Sequence, residues 1–198
     1  MSLKLKDQYF LFASLFREAP TVNLLQAIAK DFSREEVAVE FASLFLVPGE
    51  GMIPSYESFY CDTLTIDTST ACSAYFEPEV SPQGLKGFLC GPSTRSVQKA
   101  YEAFGFELGP SFHDLPDHVS VELEFMGRLL GSGKEEEADR FFREHLGRWI
   151  GLFLDKVAMQ QVSSFYRSVA PSLKEFLAEG KFLKHDLSHT KGIRDSVM

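Results

Sequence analysis

The segment His113-Asp114-Leu115-Pro116-Asp117-His118-Val119-Ser120-Val121-Glu122-Leu123-Glu124-Phe125-Met126-Gly127-Arg128-Leu129-Leu130 decides how the chain is read. It looks like a helix start with more chemistry in its first turn than a start requires. Asp114 is placed to N-cap the helix, with Leu115 and Pro116 filling its opening positions. Asp117, three residues after the cap, can reach back as a capping-box carboxylate. Val119, Leu123, Met126 and Leu130 then recur at helical spacing as an inward stripe, and Gly131-Ser132-Gly133 supplies the stop. Backbone amides at a helix N-terminus favour carboxylates on their own account, which explains the two aspartates. It does not explain His118, which shares a helical face with Glu122 four residues on.

Helical periodicity continues outward in both directions. Leu5, Tyr9, Phe12, Leu15 and Phe16 form one apolar face, and Thr21 caps a segment carrying Leu24, Leu25 and Ile28. Ser33-x-x-Glu36 is a capping box that opens a third helix with Val37, Phe41, Leu44 and Phe45 inward. A proline-glycine loop runs from Val47 to Pro54. The Thr/Ser-rich section Leu64–Val80 reads as loop, and is the one place where a strand could hide. Ser81-Pro82 restarts helical structure, Gly91-Pro92 breaks it, and Val97, Tyr101 and Phe104 resume it until Gly105. After the central helix, Glu135–Arg143 has its acids first and its bases last, as a helix dipole prefers, and the pattern continues through Leu146, Trp149, Ile150, Phe153 and Val157. Val162, Phe165, Tyr166, Val169, Leu173, Phe176 and Leu177 form the last periodic stretch, with Gly180 as its C-cap. The expectation is an all-α, single-domain bundle of about eight to ten helices over residues 1–180, followed by a polar tail at 181–198.

Composition agrees with a folded core. The 198 residues are 44% hydrophobic and include 19 phenylalanines, enough for one domain with a substantial interior. No apolar run reaches the roughly 18 residues of a membrane span, so no direct membrane insertion is expected. The apolar Tyr9–Phe16 run reads as a first helix and not a signal peptide, because Asp7 interrupts the basic region and Arg17-Glu18 sits where small residues should precede a cleavage site. Cys61, Cys72 and Cys90 match neither a disulfide framework nor a zinc site, which places the chain in a reducing cytoplasm. The net charge of −8 is unevenly spread: residues 35–127 hold fifteen acids against Lys86, Arg95 and Lys99. Such a field repels nucleic acid and anionic lipid and steers cationic partners inward.

Several chemical motifs fail when tested. Gly131-Ser132-Gly133-Lys134 lacks the first glycine and the final hydroxyl of a phosphate loop. Ser96-x-x-Lys99 has an acyl-transfer spacing but lies mid-helix without a companion signature. His185-x-x-x-His189 pairs two imidazoles in the tail without a third ligand. His118 and Glu122 have the residue types of a metal-dependent enzyme or an acid/base pair, but no nucleophile or anion cradle accompanies them. No enzyme activity, metal or cofactor is expected.

Two segments carry a resemblance to a known family. Phe45-Leu46-Val47-Pro48-Gly49-Glu50-Gly51-Met52-Ile53-Pro54-Ser55-Tyr56-Glu57-Ser58-Phe59-Tyr60 resembles the Pro-Tyr-x-Ser-x-Tyr region of the TorD/DmsD/NarJ-type redox-enzyme maturation chaperones. Leu115-Pro116-Asp117-His118-Val119 is similar to that family's Glu-Pro-Asp-His hallmark, with Leu115 in place of the glutamate and Asp114 one position earlier. Tyr101, Gly105 and His145-x-x-x-Trp149 also fit, and the similarity spans roughly residues 5–180. The resemblance implies a TorD-like all-α cytoplasmic chaperone. Its partner would be the apo catalytic subunit of a molybdopterin oxidoreductase, held by its N-terminal segment or twin-arginine signal peptide while cofactor is inserted and export delayed. A NarJ-like assembly factor for a non-exported molybdoenzyme is the alternative. A peptide with arginines and an apolar run needs carboxylates beside an apolar groove. Asp114, Asp117, Glu122 and Glu57 would supply the first, and Tyr56, Tyr60 and Phe125 the second. Pro48, Pro54, Ser58, Pro116 and His118 complete the expected peptide site. Both a monomer and a dimer that exchanges helices across Gly105–Asp114 fit the sequence.

Overall fold

A computed structural model describes residues 3–64, 85–110, 112–161 and 164–180. Helix α6, Val119–Gly131, is the axis on which the other elements lean. Nine of its thirteen residues are buried, Val119, Leu123, Met126 and Phe125 among them, whereas a surface helix would bury one face only. Its most extensive packing is against α1, Leu5–Arg17, which buries Tyr9, Ala13, Leu15 and Phe16. The two axes approach closely because Gly127 has no side chain: a Cβ there would lie 2.9 Å from the Phe10 ring.

The remaining helices follow in chain order. α2, Val22–Ile28, is capped by Thr21, and α3, Arg34–Phe41, carries the full Ser33/Glu36 capping box. α3 then widens into a π-helical turn at Ala42–Leu46 that turns Leu44 and Phe45 into the core. After the exposed Pro48–Gly51 turn comes the short α4, Glu57–Cys61. β1, Thr63–Leu64, pairs antiparallel with β2, Leu85–Lys86. α5 is Pro92–Ala103, α7 is Glu135–Glu144, α8 is Leu146–Ala158 and α9 is Phe165–Glu179. The described residues thus form nine α-helices and one π-helical turn, the all-α bundle the periodicity predicts. None of these helices is long and apolar enough to cross a membrane.

The core is aromatic at both ends. Phe16, Phe41, Phe45, Phe153 and Tyr166 pack together with ring centroids 5.1–6.1 Å apart. Tyr101, Phe106, Phe125 and Phe141 form a second group at 4.7–6.0 Å. Trp149, fully buried on α8, joins the first group through Phe153 at 5.8 Å.

Four expectations are corrected. α6 begins at Val119, not just after Asp114, because Leu115–Asp117 form a turn and His118, with an extended backbone, is the N-cap. Over residues 85–91 there is β2 and a loop where helix was expected, and Gly91-Pro92 opens α5, since proline at the first helical position forfeits no hydrogen bond. The pattern from Glu135 to Val157 is two helices, broken at His145. Leu5 and Ile28, expected inward, are 39% and 41% exposed because each is a terminal residue of its helix. The helix restart at Ser81-Pro82, most of the Leu64–Val80 loop, Val162, the His185/His189 pair and the 181–198 tail lie outside the described residues.

Two helices take their caps from distant residues. Asp62, just after α4, accepts the Ser93 amide at 3.1 Å and the Ser93 hydroxyl at 2.5 Å, closing the N-terminus of α5. Glu40 accepts the amides of Ser164 and Phe165 at 3.0 and 3.1 Å and so closes α9.

The break at His145 depends on Gly147, where a Cβ would stand 2.7 Å from the Phe142 carbonyl oxygen. Gly147→Ala must push that backbone aside, and is expected to destabilise the chain by about 1–3 kcal/mol, read as a lower midpoint in thermal circular dichroism. A midpoint equal to wild type would show that the α7–α8 corner tolerates a side chain.

Candidate functional site

The two segments that carry the resemblance meet in space as a short antiparallel bridge. Tyr56 pairs opposite His118. The Val119 amide donates to the Ser55 carbonyl at 2.8 Å, and the Glu57 amide to the Asp117 carbonyl at 3.0 Å. Behind the bridge, the Ile53 amide donates to the Leu44 carbonyl at 2.7 Å, tying the proline-glycine loop to the π-helical turn. These bonds demand extended backbone at Tyr56 and His118, which is why α4 and α6 both start immediately after them.

Most of the expected carboxylates point inward. Asp117 is fully buried, and its Oδ2 accepts the Ser58 amide at 2.8 Å. Glu57 is fully buried between His145, whose Nδ1 lies 3.0 Å from Oε2, and Arg148, 3.4 Å from Oε1. Glu122 is fully buried and accepts Trp149 Nε1 at 3.2 Å on Oε2, while its Oε1 has no protein partner. Burial first, then the negative charge of Glu57, holds the Glu122 carboxyl well above the ordinary carboxylate range, opposed by the Trp149 hydrogen bond. Glu122 therefore favours its neutral, protonated form more than an exposed glutamate does.

His118 is nearly buried, and its Nδ1 accepts the Ser120 amide at 3.2 Å and lies 2.8 Å from the Ser120 hydroxyl. An imidazole nitrogen that accepts an amide hydrogen carries no proton of its own, so the ring is neutral with its proton on Nε2. Burial, aided by the nearby Arg17 charge, pushes its pKa from 6.5 down to about 4 against the pull of Asp114 and Asp117. His118 and Glu122, read together as an acid/base or metal pair, engage separate partners, and among the described residues no group of three or more ligand side chains is arranged to hold a metal.

The rest of the expected site divides between support and surface. Phe125 is a core residue, 1% exposed, 4.7 Å from Tyr101 and 4.8 Å from Phe141, and does not line the hollow beside Asp114. The Pro116 and Pro54 carbonyls accept the Tyr101 and Tyr60 hydroxyls, each at 3.0 Å. Tyr60 stacks on Trp149 at 5.4 Å, and Ser58 is buried. Pro48 is exposed on its turn, away from these bonds. Only Asp114 presents an exposed carboxylate, and the half-buried Tyr56 donates to both of its oxygens at 2.9 and 3.1 Å.

Asp114 stands on the edge of a hollow of about 720 Å³ that the sequence did not disclose. Arg17 and Glu18 come from the end of α1, Phe106, Glu107 and Leu108 from the loop after α5, Phe112 and His113 from the approach to the bridge, and Glu124 and Arg128 from α6. Only the i,i+4 pair Glu124/Arg128 could have been picked out from spacing.

A family model described as nitrate reductase delta subunit matches residues 14–155. The chaperone protein TorD of Shewanella pealeana is 23% identical over 135 residues, which cover 68% of this chain and 54% of that protein. The chaperone protein TorD of Vibrio parahaemolyticus is 25% identical over 153 residues, covering 71% and 60%. The chain therefore spans little more than half the length of these curated relatives. A crystal structure described as a redox enzyme maturation protein, from Archaeoglobus fulgidus, superposes with a TM-score of 0.58 at 21% identity, covering 89% of this chain and 96% of the other, and shows the same fold.

The two perturbed groups act on stability in opposite directions. Glu122 holds its proton to higher pH in the folded chain than its ordinary value of 4.5, so its contribution is present below that pH and is lost as pH rises through the raised folded value. His118 contributes above 6.5, and that contribution is lost as pH falls toward 4. Glu122→Gln, which resembles the neutral acid, is expected to flatten the decline in urea stability between pH 5 and 8 while leaving the acid-side loss in place. An unchanged slope across that range would show that Glu122 is ionised in the folded chain.

Proposed function

The chain belongs to the nitrate reductase delta subunit family, of the TorD/NarJ type, and from that premise we propose that it is a redox-enzyme maturation chaperone and not a catalyst. Its client is the apo catalytic subunit of a molybdopterin oxidoreductase, gripped by its N-terminal or twin-arginine signal segment in the cytoplasm until cofactor insertion is complete. The observation that supports this most is the bridge between residues 55–57 and 117–119, beside which Tyr56 holds Asp114 by a hydrogen bond at the rim of a hollow open to solvent.

The residues of the two motifs take different parts in this reading. Glu57, Asp117, His118 and Glu122 fix the rim from inside. Asp114 and Tyr56 meet the client directly, with Glu18 and Glu107 adding negative charge and Phe106, Leu108 and Phe112 an apolar wall. Cationic and apolar groups next to each other in an extended segment match such a lining. Partly exposed ion pairs are individually weak, so selectivity comes from several acting on one rigid rim.

The test has two arms. The chain is used to capture its partner from the native cytoplasm, and mass spectrometry identifies the polypeptide. A synthetic peptide of the captured subunit's N-terminus is then titrated calorimetrically. Asp114→Asn keeps the hydrogen bonds from Tyr56 and Leu115 but removes the charge, and is expected to weaken the peptide by about two- to fivefold with the helical spectrum unchanged. Equal affinity would remove Asp114 from the contact surface, and capture through the client's mature region alone would overturn the terminal-segment reading.

A further inference from the structure

Two of the chain's own arginines sit in the hollow in a matched arrangement. Arg17 reaches Glu124 Oε2 at 2.7 Å with its guanidinium 5.3 Å from the centre of the Phe112 ring. Arg128 reaches Glu124 Oε1 at 2.6 Å with its guanidinium 5.1 Å from the centre of the Phe106 ring. Each is a guanidinium seat, a carboxylate oxygen beside an aromatic face, and the two seats share one carboxylate.

The seats are more fixed than their occupants. The Glu124 side chain is 16% exposed, whereas those of Arg17 and Arg128 are 37% and 57% exposed. Such half-exposed pairs form and part at little cost, so either arginine can swing into water while Glu124 stays. With both arginines in place the lining still carries Glu18, Glu107, Asp114 and Glu124 against two positive charges, and so favours further cations over anions.

We infer that Arg17 and Arg128 are internal stand-ins, holding on Phe112–Glu124 and Phe106–Glu124 the places that two guanidinium groups of an incoming segment take. This rests on the client-segment reading above and adds that the segment is recognised by exchange. An arriving arginine replaces one already seated, which keeps Glu124 paired at every stage and lowers affinity for any segment that offers only one cation.

The test is calorimetric titration of the full chain with a synthetic peptide carrying two adjacent arginines ahead of a leucine-rich run, and with its twin carrying lysines. Arg17→Ala and Arg128→Ala each vacate a seat and are expected to tighten the arginine peptide about three- to tenfold. Arg140→Ala removes the same charge from α7, outside the hollow, and measures the general field, expected below twofold. The lysine peptide, which lacks the planar fork that pairs and stacks at once, gains less from an emptied seat than the arginine peptide does. Weaker or unchanged binding in both seat variants, or a gain shared equally by the two peptides, overturns the exchange. If the wild-type chain binds neither peptide, the client-segment reading falls and takes this inference with it. Binding by wild type with no gain in either variant sinks the exchange alone.

Discussion

Everything at this site depends on one short exchange of backbone hydrogen bonds, Val119 to Ser55 and Glu57 to Asp117, between segments about sixty residues apart. It sets the starts of α4 and α6, carries Glu57 and Asp117 into the interior and turns Tyr56 toward Asp114. Buried acids are costly unless paired, hydrogen-bonded or protonated. The bridge supplies the pairing: Ser58 amide for Asp117, His145 and Arg148 for Glu57, Trp149 for Glu122. The carboxylates that look most suited to capturing a partner thus brace the interior, and of the four expected acids only Asp114 faces solvent.

The fold was largely legible because periodicity and capping are local. Thr21 and Ser33/Glu36 cap the helices they were expected to cap, and Val37, Phe41, Leu44 and Phe45 all face the core. What could not be read was decided at long range. Asp114 satisfied every local rule for an N-cap, yet His118 took that place because Tyr56, far away in sequence, required an extended partner. Asp62 and Glu40 are two of the fifteen acids of residues 35–127, and nothing in their own surroundings shows that they close α5 and α9.

The candidate site was legible in its location and misread in its depth. Sequence brought together residues 54–60 and 114–122, and the structure joins them. It did not show that Glu57, Asp117, Glu122 and Phe125 lie inside, since an acid in a helical first turn reads the same whether it faces water or the core. Arg17, Phe106 and Phe112 went unread because three separate elements deliver them to one hollow.

The cap on α9 has a consequence for how the chain acquires its shape. The amides that open this helix find their acceptor on α3, 124 residues earlier, and not in the adjoining sequence. Until the early helices have assembled, the described residues next to α9 offer its first turn no side-chain cap, and it is prone to fray. Secondary structure late in the chain is thus conditional on tertiary structure early in it. Maturation of this fold resembles a latch more than a zipper: the pieces stay reversible until distant parts engage, and then set together.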